Sequence, residues 1–435
     1  MINRKSGWLT FIAVNTLLLV FVVRVTILVQ NMEAPRLNRY VVLQLFAITG
    51  MFLIVLMQRQ VPLRLVLHDT PIKVGICLYC LGMLSSVWSI MPAMSFAFAF
   101  QMFVFLWVIY YLMGYHDDFY TTEKYLIRLL VILLLFGLLR KSIIYGVIPT
   151  PSYFLRFHEL NAGGISAALF SYCLAERTVC QATFNPRRAR MLTLVAIFAF
   201  VSVLVSTSSG ANVSLLVALC ALAIVRRNWL LVMLIVTIVL VVFLFPEIID
   251  NVLAIIFPGK TTRRILNFGS RTMLWQEMWL LFQQKPICGW GFATVERLGS
   301  VYASDSHNAF LGILSGLGLI GACLFGTFIL YTLLRMYRLR HLVGYTGLLC
   351  ATVCMVSNSN TYGFLSSKTV MLTMAFFGLV TCGYWYQYRL ASVGEQGWGP
   401  MPSVSVSTET SETSLPVYNT AGRIYTQMGW RLPDV

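Results

Sequence analysis

Charge is what this sequence has least of. Asp, Glu, Lys and Arg together make up 11% of its 435 residues, whereas about a quarter of an ordinary soluble domain is charged. Hydrophobic residues account for 58%, and apolar stretches of roughly 20 residues, long enough to cross a bilayer, recur along most of the chain. The composition excludes an ordinary soluble domain and predicts a polytopic all-α membrane protein surrounded by the lipid bilayer.

The sequence also lacks the motifs of several enzyme classes. It has no Walker loop, no HExxH motif and no GxSxG motif, so NTP hydrolysis, zincin and α/β-hydrolase chemistry are not predicted. The acidic pair Asp117–Asp118, beside Tyr120 and Glu123, is interpreted as part of a solvated loop. The remaining acidic residues are dispersed, and we predict no metal site and no cofactor. The ten cysteines are scattered, which argues against a disulfide framework.

Hydropathy divides the chain into a transmembrane domain at 1–390 and a tail at 391–435. About 12 spans are predicted, at 8–29, 39–57, 72–91, 94–114, 125–148, 160–175, 190–206, 210–225, 229–245, 307–333, 342–357 and 366–387. The tail is rich in Ser, Thr, Gly and Pro and is predicted to be a disordered cytoplasmic extension.

Basic residues concentrate in alternate short loops, which predicts the orientation of the spans. The loops at 89–95 and 206–212 carry no charge. The other set carries Arg4, Lys5, Arg59, Arg64, Lys73, Arg177, Arg187, Arg188, Arg190, Arg226, Arg227, Arg335, Arg338 and Arg340. By the positive-inside rule, this set and both termini are cytoplasmic. The excess of basic residues then reflects topology and anionic lipid headgroups, and nucleic acid is not predicted as a partner.

One outer segment, 246–306, is much longer than the other loops. It contains RTMLWQEMWLLFQQ (271–284), whose apolar spacing predicts an amphipathic helix on or near the membrane surface. PICGWGF (286–292) follows, and its Gly and Pro residues predict a turn. Long loops between packed spans are uncommon unless they have a function.

A span that runs inward is predicted to begin beside His307, at the outer face. It would direct the positive end of its helix dipole outward, with Ser304 or Ser306 as its N-cap. Its glycines would let neighbouring helices approach closely; they are Gly312, Gly316, Gly318 and Gly321.

A helix start near arginines is a suitable site for a phosphorylated anion. The long loop supplies Arg263, Arg264 and Arg271. Because ATP and nucleotide sugars stay in the cytoplasm, a lipid-linked pyrophosphate is the predicted activated substrate on the outer face. Arginines would balance the charge of its leaving group, and a histidine would hold or deprotonate an acceptor hydroxyl.

Four segments resemble elements of the O-antigen ligase/polymerase superfamily. Residues 271–292 are similar to its Arg–x–x–x–Trp and Pro–x–x–Gly–x–Gly elements, and 307–321 to its His–Asn before a Gly–x–x–Gly span. LSSVWSIMPAMSF (84–96) resembles its Ser–x–x–Trp–Ser–x–x–Pro element, and STSSGANVSLL (206–216) its Thr–x–Ser–Arg–Gly–Ala segment. The resemblance extends over about residues 75–385.

The resemblance implies a metal-independent, inverting glycosyltransferase of the bacterial inner membrane. Its donor would be an undecaprenyl-pyrophosphate-linked glycan and its active site would face the periplasm. Where the family pattern has a basic residue, this chain has Ser209, with Arg263, Arg264 or Arg140 as substitutes. We therefore favour a polymerase that extends exopolysaccharide or O-antigen. A ligase that transfers the glycan to lipid A core, and a flippase for the same lipid-linked sugars, are the alternatives.

The predicted catalytic residues are His307 and Arg271. The predicted substrate-binding residues are Asn308, Arg263, Arg264, Ser209, Trp275, His158 and Arg140. Simpler interpretations stay open: His307 bonded to a backbone carbonyl, Arg271 extended towards lipid headgroups, and Trp88, Trp275 and Trp279 in the interfacial aromatic belt. Acceptor glycan, lipid A core, and flippase and chain-length regulator proteins are the partners that the resemblance implies.

Overall fold

The computed structural model describes residues 11–18, 39–57, 69–116, 119–145, 160–182, 186–206, 208–228, 230, 233–234, 237, 271–295, 307–359 and 370–397. Every regular element in these ranges is helical, which confirms the predicted all-α class. The chain divides into two compact units, Met1–Leu390 and Ala391–Val435. Residues 391–397, predicted to be disordered, are helical, and the disorder of 398–435 stays a prediction because those residues lie outside the described ones.

The described residues include eleven α-helices. They are α1 (Arg39–Met57), α2 (Thr70–Leu84), α3 (Pro92–Gly114), α4 (Phe119–Tyr145), α5 (Leu160–Ala182), α6 (Pro186–Ser206), α7 (Ser209–Val225), α8 (Arg271–Gln284), α9 (Ala309–Arg338), α10 (Tyr345–Asn358) and α11 (Val370–Gly397). A 3-10 helix, Ser85–Val87, follows α2, and residues 11–18 are also helical.

Four of the described helices are long and apolar enough to cross a membrane. These are Thr70–Val87, Pro92–Gly114, Pro186–Ser206 and Ala309–Arg338, with shorter apolar helices at Phe46–Met57, Gly210–Val225 and Tyr345–Asn358. The total of about 12 spans stays a prediction, because most of 8–29 and 229–245 lies outside the described residues. The same holds for most of the predicted loop 246–306, of which 271–295 is described.

Burial separates the helices into central and peripheral ones. In α3, 83% of the apolar span is buried, against 33% in α6. A helix that is apolar on every side belongs at the centre of a bundle, and Trp385 Nε1 in α11 donates to the Tyr110 carbonyl of α3 at 2.9 Å. In α6, Leu194, Ile197 and Leu204 are exposed, as expected of a surface that contacts lipid.

A buried ionic network joins α4, α5, α6 and α10. Arg188 Nε donates to Glu123 Oε2, and Arg188 Nη2 donates to Glu176 Oε2, each at 2.8 Å. Glu176 also accepts the N–H groups of Gly344 and Gly347, both at 2.9 Å. Glu123 and Arg188 are 1% and 7% exposed. The pair Asp117–Asp118, interpreted as part of a solvated loop, lies outside the described residues; its neighbour Glu123 is carried into the bundle by α4, which starts at Phe119.

A second ion pair connects the start of α2 with the last turn of α9. Arg335 Nη2 lies 2.5 Å from Asp69 Oδ1, and the Asp69 side chain is fully buried. Burial raises the pKa of the Asp69 carboxyl, and the Arg335 guanidinium opposes that rise. The pair also sets the direction of packing, since residue 69 near the start of α2 meets residue 335 near the end of α9, so these helices are antiparallel.

Candidate active site

Helix α9 is broken at Gly318 and doubles back on itself. Gly318 has φ 65° and ψ −161°, a non-helical conformation inside the element. In a straight helix, the Cα atoms of residues 310 and 325 would be about 22 Å apart, yet the Phe310 and Phe325 rings lie 5.0 Å apart. The span predicted from 307 is therefore not one continuous helix, because residues 309–317 run alongside residues 319–338.

A second contact places the start of α9 well below the bend. Thr352 Oγ1 of α10 donates to Met336 Sδ of α9 at 3.2 Å. Ser359 lies seven residues beyond Thr352, which brings it level with about residue 329, because the two helices run antiparallel. Ala309 N–H donates to the Ser359 carbonyl at 3.0 Å. The start of α9 is therefore recessed beside the middle of its own second part.

A turn that follows α8, residues 286–291, is inserted into the break of α9; we call it the inserted turn. It donates two backbone hydrogen bonds to the first part of α9 and accepts two from the second part. The donors and acceptors are Trp290 N to Ser315 O (3.2 Å), Gly291 N to Gly316 O (2.8 Å), Leu319 N to Pro286 O (2.8 Å) and Ile320 N to Ile287 O (3.4 Å). These bonds satisfy peptide groups that the break leaves without helical partners.

Glycine is required at this contact because two backbones meet there. Gly289 has φ 65°, and a Cβ atom on it would lie 2.4 Å from the Gly316 carbonyl. A Cβ atom on Gly318 would lie 2.2 Å from the Ile287 oxygen. The prediction that glycines of this span let neighbouring helices approach is wrong for Gly316 and Gly318, since their close neighbour is a turn.

The loop between α2 and α3 holds the inserted turn from the other side. Ser85 Oγ accepts from Phe292 N at 3.0 Å, and Ser95 Oγ donates to the Phe292 carbonyl at 3.1 Å. Trp88 Nε1 donates to the Cys288 carbonyl at 3.1 Å. Trp88 thus has a hydrogen-bonded role beyond that of a belt aromatic.

Helix α8 occupies the predicted range 271–284 and runs parallel to the first part of α9. Ser315 Oγ lies 3.7 Å from Met278 Sδ, and the inserted turn continues from α8 to the bend. Arg271 precedes Met278 by seven residues, and Asn308 precedes Ser315 by seven, or about 10 Å in each helix. Arg271 and Asn308 therefore lie at the same level, at the starts of two parallel helices.

Two further helices begin next to the last turn of α10. A Cβ atom on Gly164 of α5 would lie 2.3 Å from Asn358 Nδ2. A Cβ atom on Gly163 would lie 2.7 Å from the Cβ of Ser208, the N-cap residue of α7. The starts of α5 and α7 therefore lie in the same region as the start of α9, which bonds to Ser359.

The four helices leave this region in opposite directions. From it, α5 runs towards the ionic network, whereas α8 and the first part of α9 run towards the bend. Each helix start carries partial positive charge, although the first N–H groups of α9 already donate to Ser359 and Asn308. Four such helix starts, which point in two opposite directions, favour the binding of an anion between them. This region lies about 16 Å from the ionic network, measured along α10.

His307 has a backbone conformation that few residues adopt. Its φ is 49°, one of three positive values among the described non-glycine residues. A left-handed residue other than glycine costs about 1 kcal/mol, persists where the surroundings hold it, and is frequent at functional sites. The half-buried His307 therefore sits at a constrained entry into α9.

Asn308 is the N-cap of α9. Its Oδ1 accepts from Phe310 N at 3.0 Å and from Leu311 N at 3.1 Å. The prediction of Ser304 or Ser306 as the cap is wrong, because the chain is extended at Asn308 (φ −152°, ψ 113°) and helical from Ala309. Capping engages the side-chain Oδ1 of Asn308, so a contact between this side chain and substrate would use Nδ2.

Comparison with protein families identifies this region. Residues 194–326 match the family described as O-Antigen ligase. The match supports the resemblance of the chain to the O-antigen ligase/polymerase superfamily. The match includes α7, α8, the inserted turn, His307 and the break in α9. No curated protein matches the chain. Together with the apolar helices, the match identifies a membrane protein of a glycosyltransferase-like family.

The structure describes only some of the predicted site residues. Arg271 and Trp275 lie half-buried in the first turns of α8, near the level of His307 and Asn308. Arg140 lies in the last turns of α4, and Ser209 is the first residue of α7; their side chains are outside the described residues. His158, Arg263 and Arg264 also lie outside them.

Sequence reasoning missed Ser85 and Ser95, which hold the inserted turn, and Ser208, which caps α7 through its Oγ and Ala211 N at 3.4 Å. The signal for the two serines was present, because both lie in the segment 84–96 that resembles the superfamily. Within the described residues, no group of His, Cys, Asp and Glu side chains could hold a metal ion.

Proposed function

We propose that this membrane protein is a glycosyltransferase that polymerises undecaprenyl-pyrophosphate-linked repeat units into exopolysaccharide or O-antigen on the periplasmic face of the inner membrane. The observation that carries the proposal is the common level of Arg271 and Asn308, next to His307, in a region where four helices begin. A pyrophosphate suits such a region, because its several oxygens can accept from arginine while its negative charge lies near the positive ends of several helices.

In the proposed reaction, the growing chain moves from its carrier to the next lipid-linked unit. A hydroxyl oxygen of the acceptor sugar bonds to the anomeric carbon of the donor, and the bond from that carbon to the pyrophosphate oxygen breaks. The hydroxyl proton passes to His307. Arg271 and the helix starts stabilise the charge on the departing carrier pyrophosphate. A single displacement inverts the anomeric configuration.

Two alternatives predict different products. A ligase would transfer the finished glycan to lipid A core, so its deletion would leave long chains on the carrier. Deletion of a polymerase would leave single repeat units on the carrier or the core. Deletion of a flippase would leave lipid-linked units on the cytoplasmic face. Support for an enzyme comes from the buried carboxylates of the described helices, since Asp69, Glu123 and Glu176 pair with arginines rather than standing as separate charges along a transport path.

The sharpest test compares His307→Gly and Arg271→Ala in a deletion strain at matched protein levels. Glycine adopts a positive φ without steric cost, so His307→Gly removes the imidazole and keeps the backbone. We expect each variant to lower polymer formation about 100-fold or more.

The matched controls are His341→Ala and Arg338→Ala, exposed residues at the far end of α9 and just beyond it; both should restore wild-type polymer. Restoration of polymer by His307→Gly and Arg271→Ala as well would refute the proposal. Electrophoresis of the glycans and extraction of the carrier lipid then distinguish single units from long chains.

A further inference from the structure

We infer that the inserted turn is a positioning element for the reaction: it holds the first part of α9, which carries His307, in register with α8, which carries Arg271. The kinetic consequence rests on the proposed function. The structural consequence can be measured independently of it.

The first part of α9 needs such support because the break removes its helical continuity. Residues 309–317 form a short helical segment, and Gly318 has a φ, ψ pair that is essentially restricted to glycine,. Across this residue the ladder of i to i−4 hydrogen bonds is interrupted. Without other contacts, the angle between the two parts of α9 would be set by one glycine.

The inserted turn bridges both sides of the break. Trp290 and Gly291 donate to carbonyls before Gly318, and Pro286 and Ile287 accept from N–H groups after it. One rigid turn is thus bonded to each part of α9, which fixes the bend and with it the recessed position of the helix start.

The same turn is continuous with α8. Lys285 N donates to the Phe282 carbonyl at 3.1 Å, so the chain leaves the helix without a flexible linker. Trp290 Nε1 donates to the Leu281 carbonyl at 2.8 Å, and Lys285 Nζ lies 4.1 Å from the Trp290 ring centroid. The turn is folded against α8, and any shift of the turn in the break therefore changes the register of α8 against α9.

The turn is also fixed to the bundle. Ser85 and Ser95, which bond to both backbone groups of Phe292, are fully buried. A Cβ atom on Gly291, which has φ 113°, would lie 2.3 Å from Ser89 Oγ and 2.8 Å from Ser95 Oγ. The central helices α2 and α3 thereby fix the position of the inserted turn along the bundle.

The test compares Gly318→Ala and Gly291→Ala with Gly326→Ala in full-length protein in lipid nanodiscs. A Cβ atom on Gly326, in the second part of α9, has no neighbour within 4 Å, which makes it a matched control. Trp88→Phe, which removes one donor to the turn, is a milder variant that remains informative if the glycine variants fold poorly.

Hydrogen–deuterium exchange is the structural readout. We expect faster exchange in residues 286–292 and 309–317 of the three turn variants, with α3 and the second part of α9 unchanged. Gly326→Ala should match wild type throughout. Unchanged exchange at 309–317 in all three turn variants, or an equal rise in every helix, would overturn the inference.

The rate of glycan transfer per folded molecule is the second readout. We expect a loss of about 10- to 100-fold in the turn variants, since small misplacements of reacting groups have effects of this size. Wild-type rates in protein with faster exchange at 309–317 would also overturn the positioning role. If wild type itself transfers no glycan, the proposed function fails, and the exchange result still decides whether the turn holds α9.

Discussion

His307 and Asn308 show how two adjacent residues define a helix start. His307 is left-handed and Asn308 is extended, so the chain turns sharply before α9 begins. Histidine tolerates the left-handed conformation better than β-branched residues do, whereas the extended conformation of Asn308 is open to any residue. The same pair that a sequence motif marks as functional therefore also has a local structural role, and experiments must separate the two.

Asn308 allows this separation. Asn308→Ser keeps an oxygen that can cap α9, whereas Asn308→Ala removes it and should lower stability by about 1 kcal/mol. Thermal unfolding in detergent checks this difference. If the amide also contacts substrate, Asn308→Ser will be as stable as wild type but defective in transfer. Equal stability of Asn308→Ala and wild type would contradict the capping role.

Helix α8 has an amphipathic pattern whose buried face packs against protein. Its buried side chains are Leu274, Met278 and Phe282, spaced by four residues along one face. Leu274 and Met278 pack in a cluster with Val295 and Leu311. The predicted helix range is confirmed, and its buried face packs against the inserted turn and α9.

This packing predicts unequal effects of two similar substitutions on α8. Met278 is 1% exposed and Leu280 is 58% exposed. Met278→Ala should therefore lower the free energy of unfolding by about 2 kcal/mol or more, and Leu280→Ala should have little effect. Chemical or thermal unfolding of the two purified variants measures the difference. Equal destabilisation would indicate that α8 does not pack in this register.

The bundle as a whole combines two polar layers that lie about 16 Å apart along α10. One is the ionic network of Glu123, Glu176 and Arg188, which connects four helices. The other is the region where α5, α7, α8 and α9 begin. The network anchors the far ends of α5 and α10, the two helices whose near ends surround the start of α9.

Arg188→Ala tests the network. It leaves two buried carboxylates without their cation and should cost about 3–5 kcal/mol, visible as a large fall in melting temperature or in folded yield. Arg190→Ala is the control, because Arg190 is exposed on the same helix. The triple variant Arg188→Met/Glu123→Gln/Glu176→Gln should be less damaged than Arg188→Ala, since it removes all three charges together. A fully stable Arg188→Ala protein would contradict this account.

The all-α fold class and the positions of the helices along the chain follow from local sequence. Hydropathy over about 20 residues and apolar periodicity depend only on neighbouring residues, and they placed α1 at 39–57 and α8 at 271–284, as found. The motif at His307–Asn308 and the turn at 286–292 were also recognised locally. Arg271 and His307 were both chosen from the sequence, and the catalytic roles given to them stay predictions.

The geometry of the candidate active site was decided only by tertiary contacts. The bend at Gly318 depends on a turn from another part of the chain, and that turn depends on serines about 200 residues earlier. Glu123 is buried because Arg188 and Tyr172 bond to its carboxylate inside the bundle. Such contacts have no local signature, because glycine and polar residues are equally common in solvated loops. Sequence alone determined which helices form. Only packing determined that one of them folds back and brings four helix starts together.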